Sequence, residues 1–267
     1  MLLAASLLRV PSPRLRALAL GDQGALRDWL ANESAWRLAE ARRDARLAAQ
    51  RIDAAGARVV ALGEPGYPAG LRDLTDPPPF LIVRGALPPA AAPEGVAIVG
   101  TREADPDAAA FARALAARVA APVVSGLARG IDAAAHEGAL DAGIGTIAYV
   151  GHGLGATFPP EHVDLEERIV AADGAVASER LPGEAVAGWA LVKRDRLQAA
   201  HAAALVLVQS DASGGAMHAL RFARRLGRPC FALAPREGDA YGGNRYALET
   251  GACRLPWDAD EAATLLR

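Results

Sequence analysis

From about residue 95 onward the chain alternates short, almost wholly apolar runs with longer segments whose apolar positions recur at helical spacing. Residues 96–99, 123–125, 146–150, 175–177, 205–209 and 230–233 form the runs, and their lack of polar alternation predicts strands buried on both faces. Residues 107–119, 132–141, 161–172, 188–203 and 215–226 read as the intervening helices. Strand and helix in strict alternation predict an α/β fold: an extended Rossmann-like, mostly parallel sheet with helices on both faces.

The first 56 residues have another texture, rich in alanine, leucine and arginine at helical spacing and including Trp29, Leu30, Trp36 and Leu38. They predict a small helical region over 1–56, with 57–267 as the Rossmann-like domain. Short strands at 58–62 and 80–83 flank the proline-rich Asp76-Pro77-Pro78-Pro79, and a linker is expected near 86–94. No internal repeat is visible.

Three strand-to-helix junctions carry the candidate chemistry. Gly100-Thr101-Arg102 follows one apolar run, Ser125-Gly126-Leu127-Ala128-Arg129-Gly130-Ile131-Asp132 follows the next, and Ser213-Gly214-Gly215 lies after residues 205–209. Glycines lacking Cβ let a ligand reach the backbone, and amides there can converge on an anion beside a helix N-terminus. Asp132 is expected to cap its helix. The same glycines would also serve a plain turn with Arg129 solvated, and Ser213-Gly214-Gly215 by itself reads as a turn. In a parallel sheet these loops face one crevice if their strands are neighbours. Neither of the first two is a GxGxxG fingerprint, so a dinucleotide is not indicated.

These residues bring the chain to a resemblance with the DprA/Smf DNA-processing family. It is carried by Tyr67-Pro68, Asp76-Pro77-Pro78, Val99-Gly100-Thr101-Arg102, Ser125 to Asp132, Gly153-Leu154 and Phe158-Pro159. It continues through Ser178-Glu179, Pro182-Gly183, Arg194-Asp195-Arg196, Ser213-Gly214, Gly242-Gly243-Asn244 and Gly251-Ala252, covering about residues 57–255. The resemblance implies sequence-independent binding of single-stranded DNA, a role in DNA uptake and transformation, loading of the RecA recombinase, and a homodimer; two sparse cysteines fit a reducing cytoplasm. The phosphate-binding groups it implies are Gly100, Thr101, Arg102, Ser125, Gly126, Arg129, Gly130, Lys193, Arg194, Arg196, Ser213, Gly214 and Gly215.

The chain departs from the family pattern in several places. Asp195 stands where asparagine is usual, and Leu191 where a phenylalanine commonly lies three residues before the first arginine, with Trp189 nearby. If that phenylalanine stacks a base, Leu191 cannot, and either Trp189 substitutes or about 1 to 3 kcal/mol per base is absent. Arg194 and Asp195 would otherwise be ordinary helix-surface charges. Gly215 replaces a second hydroxyl, and Val10-Pro11-Ser12-Pro13 stands in place of a Gly-Ile-Gly-type hairpin. Many relatives continue into a C-terminal winged helix, whereas only a short tail over 257–267 is expected here.

A net charge of −2 means that any nucleic-acid binding rests on local cations: Arg102, Arg129, Lys193 to Arg196, and Arg221, Arg224, Arg225 and Arg228. Lys193 is the only lysine, so the arginine count follows composition and argues nothing by itself. No segment reads as a membrane span or export signal. Cys230 and Cys253 are too far apart for a metal clip, and His152, His162, His201 and His218 show no metal spacing, so no metal or cofactor is expected. Asp132 and His136, four apart on a helix, read as a structural pair, and no catalytic residue is assigned. A rival is a nucleoside-monophosphate phosphoribohydrolase-like enzyme on a related fold. Its signature glutamate has no counterpart, since no carboxylate lies between Asp211 and Glu237. A nucleotide-binding sensor using the same crevice remains the third reading.

Overall fold

A computed structural model describes residues 1–88 and 94–266, so most of the linker expected near 86–94 lies outside the described residues. The N-terminal region is helical, as its spacing requires: α1 (Leu2–Leu7), α2 (Ser12–Ala19), α3 (Arg27–Ala31) and α4 (Ala35–Ala54). Ser34 Oγ caps α4 by accepting from Arg37 N. Leu8, Val10, Leu15, Leu18 and Leu26 form this region's own apolar cluster. Ile52 of α4 instead packs with Phe80, Leu127 and Val150 of the body.

The body is a nine-stranded sheet in the order β1-β2-β6-β5-β4-β3-β7-β8-β9. Its strands are β1 (Ala57–Ala61), β2 (Phe80–Gly85), β3 (Val96–Val99), β4 (Val123–Ser125), β5 (Thr146–Tyr149), β6 (Ala175–Ser178), β7 (Ala204–Leu207), β8 (Cys230–Leu233) and β9 (Cys253–Leu255). From β6 through β9 every neighbouring pair is parallel; β1 and β2 extend that sheet antiparallel.

Helices cover both faces: α5 (Pro106–Ala116), α6 (Ile131–Asp141), α7 (Val163–Ala171), α8 (Gly188–His201), α9 (Ala216–Arg225), α10 (Gly242–Glu249) and α11 (Ala259–Thr264). The period-two geometry of β3 explains how an unbroken apolar run serves two layers. Val96 and Ile98 join Phe111, Leu115 and Ile131 on the α5–α6 face, while Ala97 and Val99 join Leu197, Met217 and Leu220 on the α8–α9 face.

The chain steps outward from β3 to β6, and α8 then carries it back to place β7 on the other side of β3. The strand order therefore reverses at β3, and the loops after β4, β3 and β7 emerge side by side at one sheet edge. Three departures from the sequence reading are local. β9, α10 and α11 were not anticipated, because β9 is three residues long with only Leu255 buried. The α6 N-cap is Gly130, at φ +72°, and not Asp132, which sits inside the first turn with no capping hydrogen bond. The strand–loop order is otherwise that expected, with element ends displaced by a few residues. Among the described residues no helix is long and apolar enough to cross a membrane.

Candidate functional site

The three loops are stitched together by backbone and amide groups. Thr101 N donates to Gln209 O at 2.7 Å, and Ile131 N, the first amide of α6, donates to Thr101 O at 3.2 Å. Asp105 N donates to Gln209 Oε1 at 2.8 Å. Asn244, buried at the start of α10, accepts from Ser210 N at 3.0 Å and donates to Val208 O and Leu233 O. The loops thus enclose a fixed crevice of about 450 Å³, lined by Gly100, Thr101, Arg102, Gly214 and Gly215 and floored by α8 residues Leu191, Arg194, Asp195 and Gln198.

Electrostatics in the crevice centre on Arg194, which is 6% exposed. Its Nη1 lies 3.8 Å from Asp132 Oδ2 and its Nε 3.6 Å from Asp195 Oδ1. With its amide set to satisfy both neighbours, Gln198 Oε1 accepts from Gly126 N at 3.0 Å and from the Arg194 guanidinium. Burial pushes the Asp132 carboxyl up against the pull of Arg194. Burial likewise carries Asp195 from 3.8 to about 7, opposed by Arg194 and reinforced by the charge of Asp132. Two reluctant carboxylates therefore share one buried cation. Glu103 and Asp211 also face the crevice, so it is not uniformly positive.

The sequence-predicted residues distribute unequally. Gly100, Thr101, Arg102, Arg194, Gly214 and Gly215 line the crevice together. Arg102 is exposed and pairs with no carboxylate among the described residues. A Cβ at Gly215 would meet nothing within 4 Å, so its backbone is open to a ligand. At Gly126 the space left by the missing Cβ is already filled, because the Arg194 guanidinium lies across it. Gly130 is needed for its left-handed φ and its close approach to Thr101 O.

Three assignments are corrected by what their side chains touch. Ser125 is fully buried and donates to Ile98 O at 2.7 Å, tying β4 to β3. Arg196 is buried facing away, at 2.7 Å from Glu179 and 3.4 Å from Asp76, so it braces the proline-rich segment rather than the crevice. Ser213 donates to Asp211 Oδ1 at 2.6 Å, so its proton is turned to that carboxylate. Lys193 is half exposed but opens on another groove, 3.7 Å from Glu179. Arg129 pairs with Glu161, both well exposed.

His136 does not pair with Asp132. Its Nδ1 lies 2.7 Å from Thr146 Oγ1, whose hydroxyl donates to Val123 O, so Nδ1 carries the proton. Burial lowers this imidazole to about 3, and it stays neutral. Gln198, Gln209 and Asn244 went unassigned from sequence. The signal was there in a lone amide interrupting each apolar stretch, since such a group is retained in a core only where it is hydrogen-bonded.

Next to the crevice lies an apolar slot of about 90 Å³, lined by Arg102, Arg194, Phe158, Val186 and Leu191 among others. Phe158 is 42% exposed, and its N–H donates to His152 Nε2 at 3.0 Å, which fixes the loop that presents it. An exposed ring beside a free arginine offers a base a face and its phosphate a cation.

A family model described as DNA recombination-mediator protein A matches residues 58–266. A putative DNA processing protein DprA of Mycobacterium tuberculosis is 39% identical over 180 residues, which is 64% of this chain and 46% of that protein. A protein Smf of Synechocystis is 32% identical over 187 residues, 67% of this chain and 47% of that one. The chain thus spans about half the length of the curated relatives it matches. Among solved structures, DNA processing protein A of Streptococcus pneumoniae superposes with a TM-score of 0.75 at 25% identity, covering 95% of this chain and 86% of that one. The Helicobacter pylori protein, whose structure concerns a single-stranded DNA binding mode, gives 0.67 at 26% identity over 79% and 97%.

Proposed function

Because the chain belongs to the DNA recombination-mediator protein A family, we propose that it binds single-stranded DNA without sequence preference and without chemical turnover, serving DNA uptake and recombination. The observation that carries this reading is the free, exposed Arg102 at the junction of the 450 Å³ crevice and the apolar slot. A flexible strand can put a base against Phe158 and Leu191 while its phosphate meets Arg102 and the open backbone at Gly215. Duplex DNA cannot, since its bases are stacked inside and its phosphates held on a stiff helix.

Carboxylates on the crevice walls restrict phosphates to the rim. There Arg102 is free, and Arg129 can leave Glu161 at little cost, because an exposed ion pair contributes about 0 to 1 kcal/mol. Loading of the RecA recombinase, a homodimer and a cytoplasmic setting belong to the same proposal, as does the division into a helical region, 1–56, and a binding domain, 57–267. The loop over 213–218 carries no carboxylate to act on a glycosidic bond, which supports binding without hydrolysis. Incubated with nucleoside monophosphates, the protein is expected to release no free base; steady release detected chromatographically would restore the enzyme reading.

Equilibrium titration of labelled oligonucleotides at several salt concentrations tests the proposal. Single strands are expected to bind more tightly than duplex. Two rim cations, Arg102 and Arg129, at roughly 0.7 each give a log affinity against log salt slope near −1.4. Arg102→Ala should weaken binding about tenfold and flatten the slope, with an unchanged melting temperature, since an exposed loop cation adds no packing. Equal affinity for duplex, or parental binding by this variant, counts against the crevice.

A further inference from the structure

On the other side of Arg194 a second groove of about 420 Å³ opens between the end of α1 and the start of α8. Arg194 lines both this groove and the crevice, so the two adjoin on opposite sides of that side chain. The groove walls carry Trp189, Arg180, Lys193 and Arg9 beside Glu179 and Glu184. Trp189 is 61% exposed, and the Arg180 guanidinium carbon lies 4.9 Å from its ring centroid. One face of the indole is thus backed by a cation, and most of the ring is exposed among the described residues.

Arg9 is the second, independent observation. It ends α1 at φ +57°, with Arg9 N donating to Ser6 O at 2.9 Å and Val10 N to Ala5 O at 3.2 Å. That is a helix-ending motif whose left-handed position favours glycine. An arginine here gives up backbone ease to place a long cationic side chain on the groove, where it pairs with no carboxylate among the described residues. Lys193, the chain's only lysine, is half exposed on the same groove.

We propose that this groove is a second nucleotide subsite, in which a base stacks on Trp189 and the adjoining phosphates are held by Arg9 and Lys193. A bound strand then runs from the crevice past Arg194 and onto the helical N-terminal region. The inference rests on the single-stranded DNA reading above and adds a partner surface that the body alone does not supply. An aromatic face flanked by cations is the arrangement that binds successive nucleotides irrespective of sequence. An acidic peptide would use the cations and leave the indole idle.

The test is fluorescence anisotropy with oligo-dT of about six and about twenty nucleotides, the second longer than the roughly 4–16 nucleotides that one such site covers. Trp189→Ala is expected to weaken the longer strand about tenfold and the shorter one little, and Trp189→Phe to restore most of the loss. Arg9→Gly should weaken the longer strand several-fold while melting at or above the parental temperature, which separates lost binding from lost folding. Quenching of tryptophan emission by the longer strand should disappear in Trp189→Phe. If both groove variants bind the longer strand like the parent while Arg102→Ala still weakens both lengths, the second subsite is refuted and the single-strand reading stands. If the parent binds neither length, both fall.

Discussion

Arg194→Ala is expected to lose about 3–5 kcal/mol of folding stability at pH 8 and markedly less at pH 5. The guanidinium is 6% exposed between Asp132 and Asp195, themselves 5% and 9% exposed. Removing it leaves two buried carboxylates facing one another without a counter-charge, and it also strips Gln198 of one donor. Both carboxyls already stand above their ordinary value through burial, and without Arg194 both rise further. A raised carboxyl pKa means that the unfolded chain ionises first as pH rises, so stability falls from about pH 4 until the folded-state value is passed. The deficit of the variant against the parent therefore widens between pH 5 and pH 8. Denaturant unfolding followed by circular dichroism at the two pH values measures it. An equal deficit at both would assign the loss to packing alone and remove the charge argument. Arg102→Ala, by contrast, should hurt binding without touching stability, so the two arginines separate the floor of the site from its rim.

The frame of the fold was legible because strands β3 to β8 are each buried on both faces, which leaves an unmistakable apolar run. Ile98 and Val99 point into different clusters, and neither can be polar. The adjacency of the three loops was legible too, once alternation implied a parallel sheet. Side-chain direction was not. Arg194 and Arg196 lie two apart on one helix and read as equivalent cations, yet one floors the crevice while the other is consumed by Glu179 and Asp76, 17 and 120 residues away. Ser125 and Ser213 failed similarly: a hydroxyl beside glycines looks like a phosphate donor until its proton is found on Ile98 O or Asp211. Partners of that kind are fixed by tertiary contacts that no local pattern encodes. The edge strand β9 escaped for the opposite reason, since two of its three residues are exposed and carry no periodic signal.

Asp195→Asn is expected to tighten single-stranded DNA binding about tenfold at pH 8 and to abolish most of its pH dependence. Asp195 ionises at about 7, so the parent loses a negative charge from the crevice wall as pH falls from 8 to 6.5. A like charge removed from within about 7 Å of a phosphate, at an effective dielectric of 20 to 40, relieves roughly 1 to 2 kcal/mol. The parent should therefore bind more tightly at pH 6.5 than at pH 8, taking up a proton as it does so, because an arriving phosphate raises the Asp195 pKa further. His218 and His152, the imidazoles beside the two cavities, are both held below 6.5 by burial and by neighbouring arginines, so neither supplies this change between pH 7 and 8. The asparagine keeps the shape and an oxygen facing Arg194, and it cannot ionise. Stability should move in the same sense: the rise from 3.8 to about 7 corresponds to on the order of 4 kcal/mol lost by the parent once pH exceeds 7, and the variant is spared it. Binding isotherms at pH 6.5 and 8 in two buffers of different ionisation enthalpy read both the affinity and the proton uptake. If parent and variant show the same pH slope, Asp195 does not change charge between pH 6.5 and 8 and is not the source of any pH dependence in binding.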